Sequence, residues 1–286
     1  MRDSELILND DGSVYHLNVR PEHLADTIIL VGDPGRVEQV SNYFDSIEHK
    51  RQNREFKTHT GTLKGKKLTV LSTGIGTDNI DITLNELDAA VNIDLETLQI
   101  KENKKSLNLI RVGTSGALQE NIPIGTHLIS EYALGFDGLL HFYNYPYSKE
   151  ELEIGTKINQ HLAWNTKLAE PYLVKSSEVL LNKFGSSMTK GITATASGFY
   201  GPQGRKLRLD PSDININEKL TSFQYGEHQI TNFEMETSAL YGLGRLLGHN
   251  CITCCAIIAN RIRKEYSDNH LKDVNGLIES VLNKLT

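Results

Sequence analysis

Cysteine is scarce in this chain and bunched: the three thiols, Cys251, Cys254 and Cys255, fall within five positions. No second group exists elsewhere to pair with them or to complete a zinc site. Inside the apolar run CITCCAIIA they read as small buried hydrophobes in a reducing compartment. Positive charge is also in deficit, 30 Lys plus Arg against 36 Asp plus Glu, for a net charge of −6. That balance excludes a general attraction to nucleic acid or to an anionic membrane, so any anion must be met by a local cluster of arginines. No stretch approaches the ~20 apolar residues of a membrane span. The polar, acidic start MRDSELILNDDG lacks the basic and apolar regions of a secretory signal, so a cytoplasmic location is expected. Repeats, low-complexity tracts and linkers rich in Pro, Gly and Ser are absent too, and residues 1–286 read as one domain.

The hydrophobic fraction, 38%, suffices for a sizeable core. Apolar runs bounded by turn residues predict strands at 27–31, 67–72, 107–112, 126–130, 189–195 and 251–259. Apolar residues at three and four spacing predict helices at 81–93, 149–162, 176–184, 214–222, 235–247 and 272–285. Alternation of the two implies βαβ units and a mainly parallel sheet with helices on both faces. In such sheets ligands bind beyond the carboxyl ends of strands, so the loops after strands are where chemistry is sought.

Three glycine-rich segments follow predicted strands: VGDPGRV (31–37), STGIGTD (72–78) and RVGTSGA (111–117). Glycine lets backbone N–H groups converge on an anion, and two of the segments carry an arginine, Arg36 and Arg111. Each is equally compatible with a tight strand-to-helix turn. In NFEMETSALYGLG (232–244), Glu234 and Glu236 stand two apart at a helix start. A carboxylate there either accepts two hydrogen bonds from a vicinal diol such as ribose or complements the helix dipole.

Taken together, VGDPGRV, STGIG, RVGTSGALQENIPIGT and NFEMETSAL resemble the nucleoside phosphorylase-I family, over roughly residues 15–261. The loop GFYGPQGR (198–205), with Phe-Tyr followed by Gln-x-Arg, is similar to the uracil-recognition segment of its uridine phosphorylase branch. The resemblance implies a single-domain, three-layer α/β/α fold whose mixed central sheet closes towards a barrel, in place of the plain open sheet. It also implies an enzyme, a pentosyltransferase that splits uridine with inorganic phosphate into uracil and ribose 1-phosphate. Phosphate would be the co-substrate, held by Gly32, Arg36, Arg111 and Thr114, with Arg54 from a neighbouring subunit. Ribose would lie against Met235 and Glu236, with the neighbour's His16, and residues 1–26 would be the segment that crosses between subunits. The base would meet Tyr15, Phe199, Gln203, Arg205 and Arg261. Arg54 and His16, taken by themselves, read as solvated surface residues.

Three planar guanidinium forks suit phosphate oxygens. An amide that donates and accepts at once suits the C=O and N–H of a uracil edge. Catalysis would rest on Arg36 and Arg111 at the phosphate, Glu236 at the sugar, and Gln203 and Arg205 at the charge arriving on the base. Purine-cleaving relatives are expected to keep an acid after the late strand, where this chain has Asn260. Purine phosphorolysis, a hydrolytic nucleosidase and a silent nucleoside-binding protein are the alternatives. No cofactor is implied beyond a monovalent cation that some relatives hold near the counterparts of Glu55 and Asn79; at Asn79 those relatives carry a small hydroxyl residue. A homo-oligomer is expected, a dimer or a hexamer built as a trimer of dimers.

Overall fold

The computed structural model describes residues 4–286. Its strands are β1 (Thr27–Val31), β2 (Ser46–Asn53), β3 (Phe56–Leu63), β4 (Lys66–Ser72), β5 (Ile93–Asp94), β6 (Gln99–Ile100), β7 (Asn108–Ala117), β8 (His127–Gly135), β9 (Tyr172–Lys175), β10 (Thr189–Thr195), β11 (Gln224–Tyr225), β12 (His228–Glu234), β13 (Asn250–Asn260) and β14 (Glu265–Tyr266). The helices are α1 (Pro34–Ser41), α2 (Thr77–Asn92), α3 (Lys149–Leu162), α4 (Glu178–Phe184), α5 (Ile216–Ser222), α6 (Thr237–Leu247) and α7 (His270–Leu285).

Five strands, β7, β12, β10, β8 and β13, close on themselves as a barrel, because β12 pairs with β7 at one end of the series and β13 with β7 at the other. A wing of β1, β4, β3 and β2 continues from β7. Strands β1, β4 and β7 run parallel, whereas β2 and β3 are antiparallel, so the sheet is mixed. The barrel expected from the family resemblance is therefore present, and the open parallel sheet expected from periodicity is not.

The run TIILV in β1 explains the layering. Ile28 and Leu30 join one apolar cluster with Leu84, Leu87, Leu240 and Leu243, while Ile29 and Val31 join another with Val37, Val40, Leu277, Ile278 and Val281. A strand buried on both faces needs no polar alternation, and its side chains point to helices α2 and α6 on one side and α1 and α7 on the other. Helix α2 buries Ile80, Leu84 and Leu87 at helical spacing.

Strands 27–31 and 189–195 and helix 149–162 match their predicted bounds. The hairpin β2–β3 has no counterpart in the pattern reading, since SIEHKRQN is polar and largely exposed. Segment 111–117, expected as a glycine turn, continues β7 instead. Gly113 makes room for a side chain rather than a bend, whereas a Cβ at Gly116 would make only ordinary contact. A Cβ on Gly113 would lie 2.0 Å from Arg111 Nη1, and one on Gly116 would lie 3.6 Å from the Arg261 side chain.

Candidate active site

The ends of β1, β4, β7, β12 and β13, with the loops that follow, enclose a cavity of about 940 Å³. Gly32, Arg36, Arg111, Thr114, Met235, Glu236, Phe199, Gln203 and Arg205 all line it, as do Glu55 and Asn79. The sequence motifs, far apart along the chain, thus converge on one hollow.

At one end stand the arginines. Asp33 caps α1 by accepting from Gly35 N–H at 2.8 Å, and Pro34 opens the helix with its fixed φ. This places Arg36 in the first turn, where its Nη1 donates to the Val112 carbonyl at 3.3 Å. Burial, and then the charge of Arg111, lower the pKa of Arg36. Arg36 is half-buried and Arg111 buried, and two guanidiniums that oppose each other's charge are an arrangement that can meet an anion.

Arg111 is buried and reaches two carboxylates: Nη2 donates to Glu236, and Nη1 lies 3.4 Å from Glu234. Burial works against its charge, but Glu236 and then Glu234 more than offset it and raise its pKa above the ordinary arginine value. Burial raises the Glu236 carboxyl, with Arg111 opposing. The other oxygen of Glu236 accepts from Gly76 N–H at 2.8 Å, at the start of α2.

The two acids divide the roles left open by sequence. Glu234 accepts from the backbone N–H of Glu236 at 2.9 Å and of Thr237 at 3.1 Å, and from Thr195 Oγ1 at 2.7 Å, so it caps α6. Glu236 makes no capping bond and is free to face the cavity.

At the other end is the 198–205 loop. Gln203 is only 3% exposed, and its Oε1 accepts from Arg205 Nη1 at 2.5 Å. Arg205 also lies 3.8 Å over the Phe199 ring and donates to the Phe199 carbonyl at 2.6 Å. Burial, reinforced by Arg261, lowers the Arg205 pKa to about 10. Arg261 is outside the cavity lining; from behind the loop its Nη2 donates to the Gln203 carbonyl at 2.8 Å.

Asn260 is likewise outside the lining and 1% exposed. Its amide donates to the carbonyls of Gln119 and Ile122, both at 2.9 Å, and accepts from the N–H groups of Ile262 and Arg263. An acid at 260 in this chain would meet two carbonyls rather than a ligand.

Arg54, Tyr15 and His16 do not reach the cavity. Arg54 is exposed at the tip of the β2–β3 hairpin with φ +51°, a left-handed conformation that costs energy outside glycine. Its neighbour Glu55 turns inward to the cavity. Asn53 ties this tip to the N-terminal segment by donating to the His16 carbonyl at 3.0 Å. Of the 1–26 segment, residues 1–3 lie outside the described part. Sequence reasoning assigned nothing to Ser115, Ile258 and Tyr266, which also line the cavity. The strand end carrying Ile258 was visible, whereas Tyr266 arrives on β14, a two-residue strand without a pattern. Over Gly74 crowd the side chains of Asn79 and Glu55, and among the described residues no group of three or more His, Cys, Asp or Glu side chains could hold a metal ion.

Comparison with known proteins places this geometry in a family. A family model described as "Phosphorylase superfamily" matches residues 26–285. The chain is 31% identical to a uridine phosphorylase of Thermococcus kodakarensis over 263 residues, 90% of this chain and 81% of that one. It is 28% identical to a uridine phosphorylase of Haemophilus influenzae, over 88% of each chain. Among solved structures, a Trypanosoma brucei nucleoside phosphorylase described as showing uridine phosphorylase activity superposes with a TM-score of 0.88 at 31% identity, over 97% of this chain and 99% of that one.

Proposed function

Given that the chain belongs to the phosphorylase superfamily, we propose that it is a uridine phosphorylase, a pentosyltransferase that cleaves uridine with inorganic phosphate to uracil and ribose 1-phosphate. The observation that carries this reading is the cavity itself, with a pair of arginines at one end and a glutamine–arginine clamp at the other. Similarity to two curated uridine phosphorylases supports the choice of base.

Phosphate sits between Arg36 and Arg111, beside Gly32 and Thr114, and attacks C1′ as the bond to uracil N1 breaks. The ribose diol donates to Glu236, whose two oxygens are already fixed by Arg111 and Gly76 N–H and so lose little freedom on binding. Met235 packs against the sugar and Phe199 against the base. The uracil edge meets the Gln203 amide, whose Oε1 is oriented by Arg205, and negative charge arriving on the departing base faces the donors of both. Arg261 acts on the base through the loop, by holding the Gln203 carbonyl. Phosphate charge stabilises the developing oxocarbenium, so no covalent intermediate is required.

Arg54, His16 and Tyr15 serve a neighbouring copy's cavity. The exposed positions of Arg54 and Tyr15 beside the half-buried His16, and the unfavourable φ kept at Arg54, support this reading. The working unit is then a dimer or a hexamer built as a trimer of dimers, and the pathway pyrimidine salvage. No helix among the described residues is long and apolar enough to cross a membrane, and we assign the protein to the cytoplasm, without a cofactor or nucleic-acid partner. A monovalent cation between Glu55 and Asn79 belongs to the same proposal.

Replacing Gln203 by Ala tests the base assignment. Selectivity for uridine over inosine should fall by about tenfold or more, as expected when a polar recognition group is lost; unchanged selectivity would refute it.

A further inference from the structure

Cys255 differs from the other two cysteines in what surrounds it. Cys251 and Cys254 each join an apolar cluster, whereas Cys255, although 0% exposed, joins none. The small-hydrophobe reading describes the first two and is incomplete for the third. On β13, Cys255 stands in register with Gly113 on β7, and Thr253 with Arg111. Residues two apart on a strand share a face. The Arg111 side chain, running past the bare Cα of Gly113, therefore arrives beside the Cys255 thiol, and its Nη1 donates to Sγ at 3.6 Å.

Among the described residues this is the only hydrogen bond of Nη1, for Glu234 stands off at 3.4 Å as an ion-pair partner. Nη2 is engaged by Glu236, and Nε is buried without a partner. The plane of the guanidinium is thus held by one contact at each Nη, and with Nη2 alone the group could turn about that contact. Burial pushes the Cys255 thiol up to about 11, with the charge of Arg111 opposing, so it stays a neutral thiol at physiological pH. Neutrality matters here. Two carboxylates already face Arg111, and a third negative partner would weaken its attraction for an anion. A thiol holds the N–H without adding charge. We propose that Cys255 is a positioning residue of the phosphate site, fixing the plane of the Arg111 guanidinium through Nη1 so that the donors left unengaged by Glu236 and Cys255 face phosphate. This inference rests on the reading that Arg111 holds phosphate.

Cys255→Ala and Cys255→Ser separate an acceptor from a filler, because the two replacements are nearly equal in size and only serine can accept from Nη1. Steady-state cleavage of uridine is measured with each co-substrate varied against a saturating level of the other. Cys255→Ala should raise KM for phosphate by about three- to tenfold, the worth of one hydrogen bond. KM for uridine should change little, since Glu236 keeps Arg111 Nη2 and Gly76 N–H. Cys255→Ser should bring KM for phosphate back close to that of the unmodified protein. The rise in melting temperature on adding inorganic phosphate alone should shrink in Cys255→Ala and recover in Cys255→Ser. Equal losses in the two variants would assign Cys255 to packing, and an unchanged KM for phosphate in Cys255→Ala would remove its role. Either result, in a protein whose unmodified form still needs phosphate, overturns the proposal alone. If the unmodified protein cleaved uridine equally well without phosphate, the phosphate-site reading would fall, and the proposal with it.

Discussion

Glu236→Gln is nearly isosteric, and its cost can be worked from the contacts. In the carboxylate each oxygen accepts, one from Arg111 Nη2 and the other from Gly76 N–H at 2.8 Å. An amide accepts on one side only. Whichever way the substituted amide is turned, its NH₂ opposes either the guanidinium or the Gly76 N–H, so one hydrogen bond is lost and two donors face each other. The diol then also meets a neutral amide in place of a carboxylate, and losing from the bound sugar a hydrogen bond to a charged group, about 1.5–3 kcal/mol, corresponds to a fall of roughly 10- to 150-fold in kcat/KM for uridine. Stability should suffer less than in the removal of an isolated buried partner, because Glu234 remains 3.4 Å from Arg111 and keeps its charge compensated. The informative comparison is with 2′-deoxyuridine, which has no vicinal diol. Glu236→Gln should narrow the preference for uridine towards unity while the thermal unfolding midpoint shows a folded protein. A variant that loses activity but keeps the full preference would refute the assignment of the diol to Glu236.

Gly113→Ala should be far more damaging than its size suggests, because the new methyl would lie 2.0 Å from a guanidinium already clamped by two acids; KM for phosphate should rise at least about tenfold, and an unchanged value would show that Arg111 does not hold phosphate. Asn260→Asp sets a carboxylate against the carbonyls of Gln119 and Ile122, so it should destabilise by about 3 kcal/mol or more in a denaturant titration and should not confer inosine cleavage. The ring of His49 is stacked at 3.7 Å on His23, and burial, with the charge of His23, pushes its pKa down to about 4. A folded pKa below the unfolded value of 6.5 means that the unfolded chain takes up the proton first. Stability is therefore lost as pH falls from about 6.5 to about 4. His49→Leu should show a smaller drop in melting temperature over that window, and parallel curves would contradict the argument.

Much of the site was legible in sequence because its residues come in local motifs whose chemistry is recognisable where they stand. GDPGR places a cap, a helix-starting proline and an arginine within one turn, and the loop from Phe199 to Arg205 carries its own clamp. The division of labour between Glu234 and Glu236 was not legible, since it depends on which oxygen meets the Thr195 hydroxyl and which meets Gly76, residues far apart in the chain. The support of Arg261 for the Gln203 carbonyl and of Cys255 for Arg111 are contacts of the same long-range kind. For the fold, buried strands such as TIILV announced themselves by continuous apolar character, while the exposed β2 carries no alternation to find. Barrel closure depends on β12 reaching β7 through two residue pairs, Asn232 with Ala117 and Phe233 with Gly116, which no periodicity encodes.

The most direct test of the central claim is loss of uridine absorbance catalysed by the purified protein, with and without phosphate, beside inosine. The arginine pair and the Gln203 clamp predict rapid loss with uridine only when phosphate is present, and little with inosine. Loss without phosphate, or equal turnover of inosine, would contradict the account.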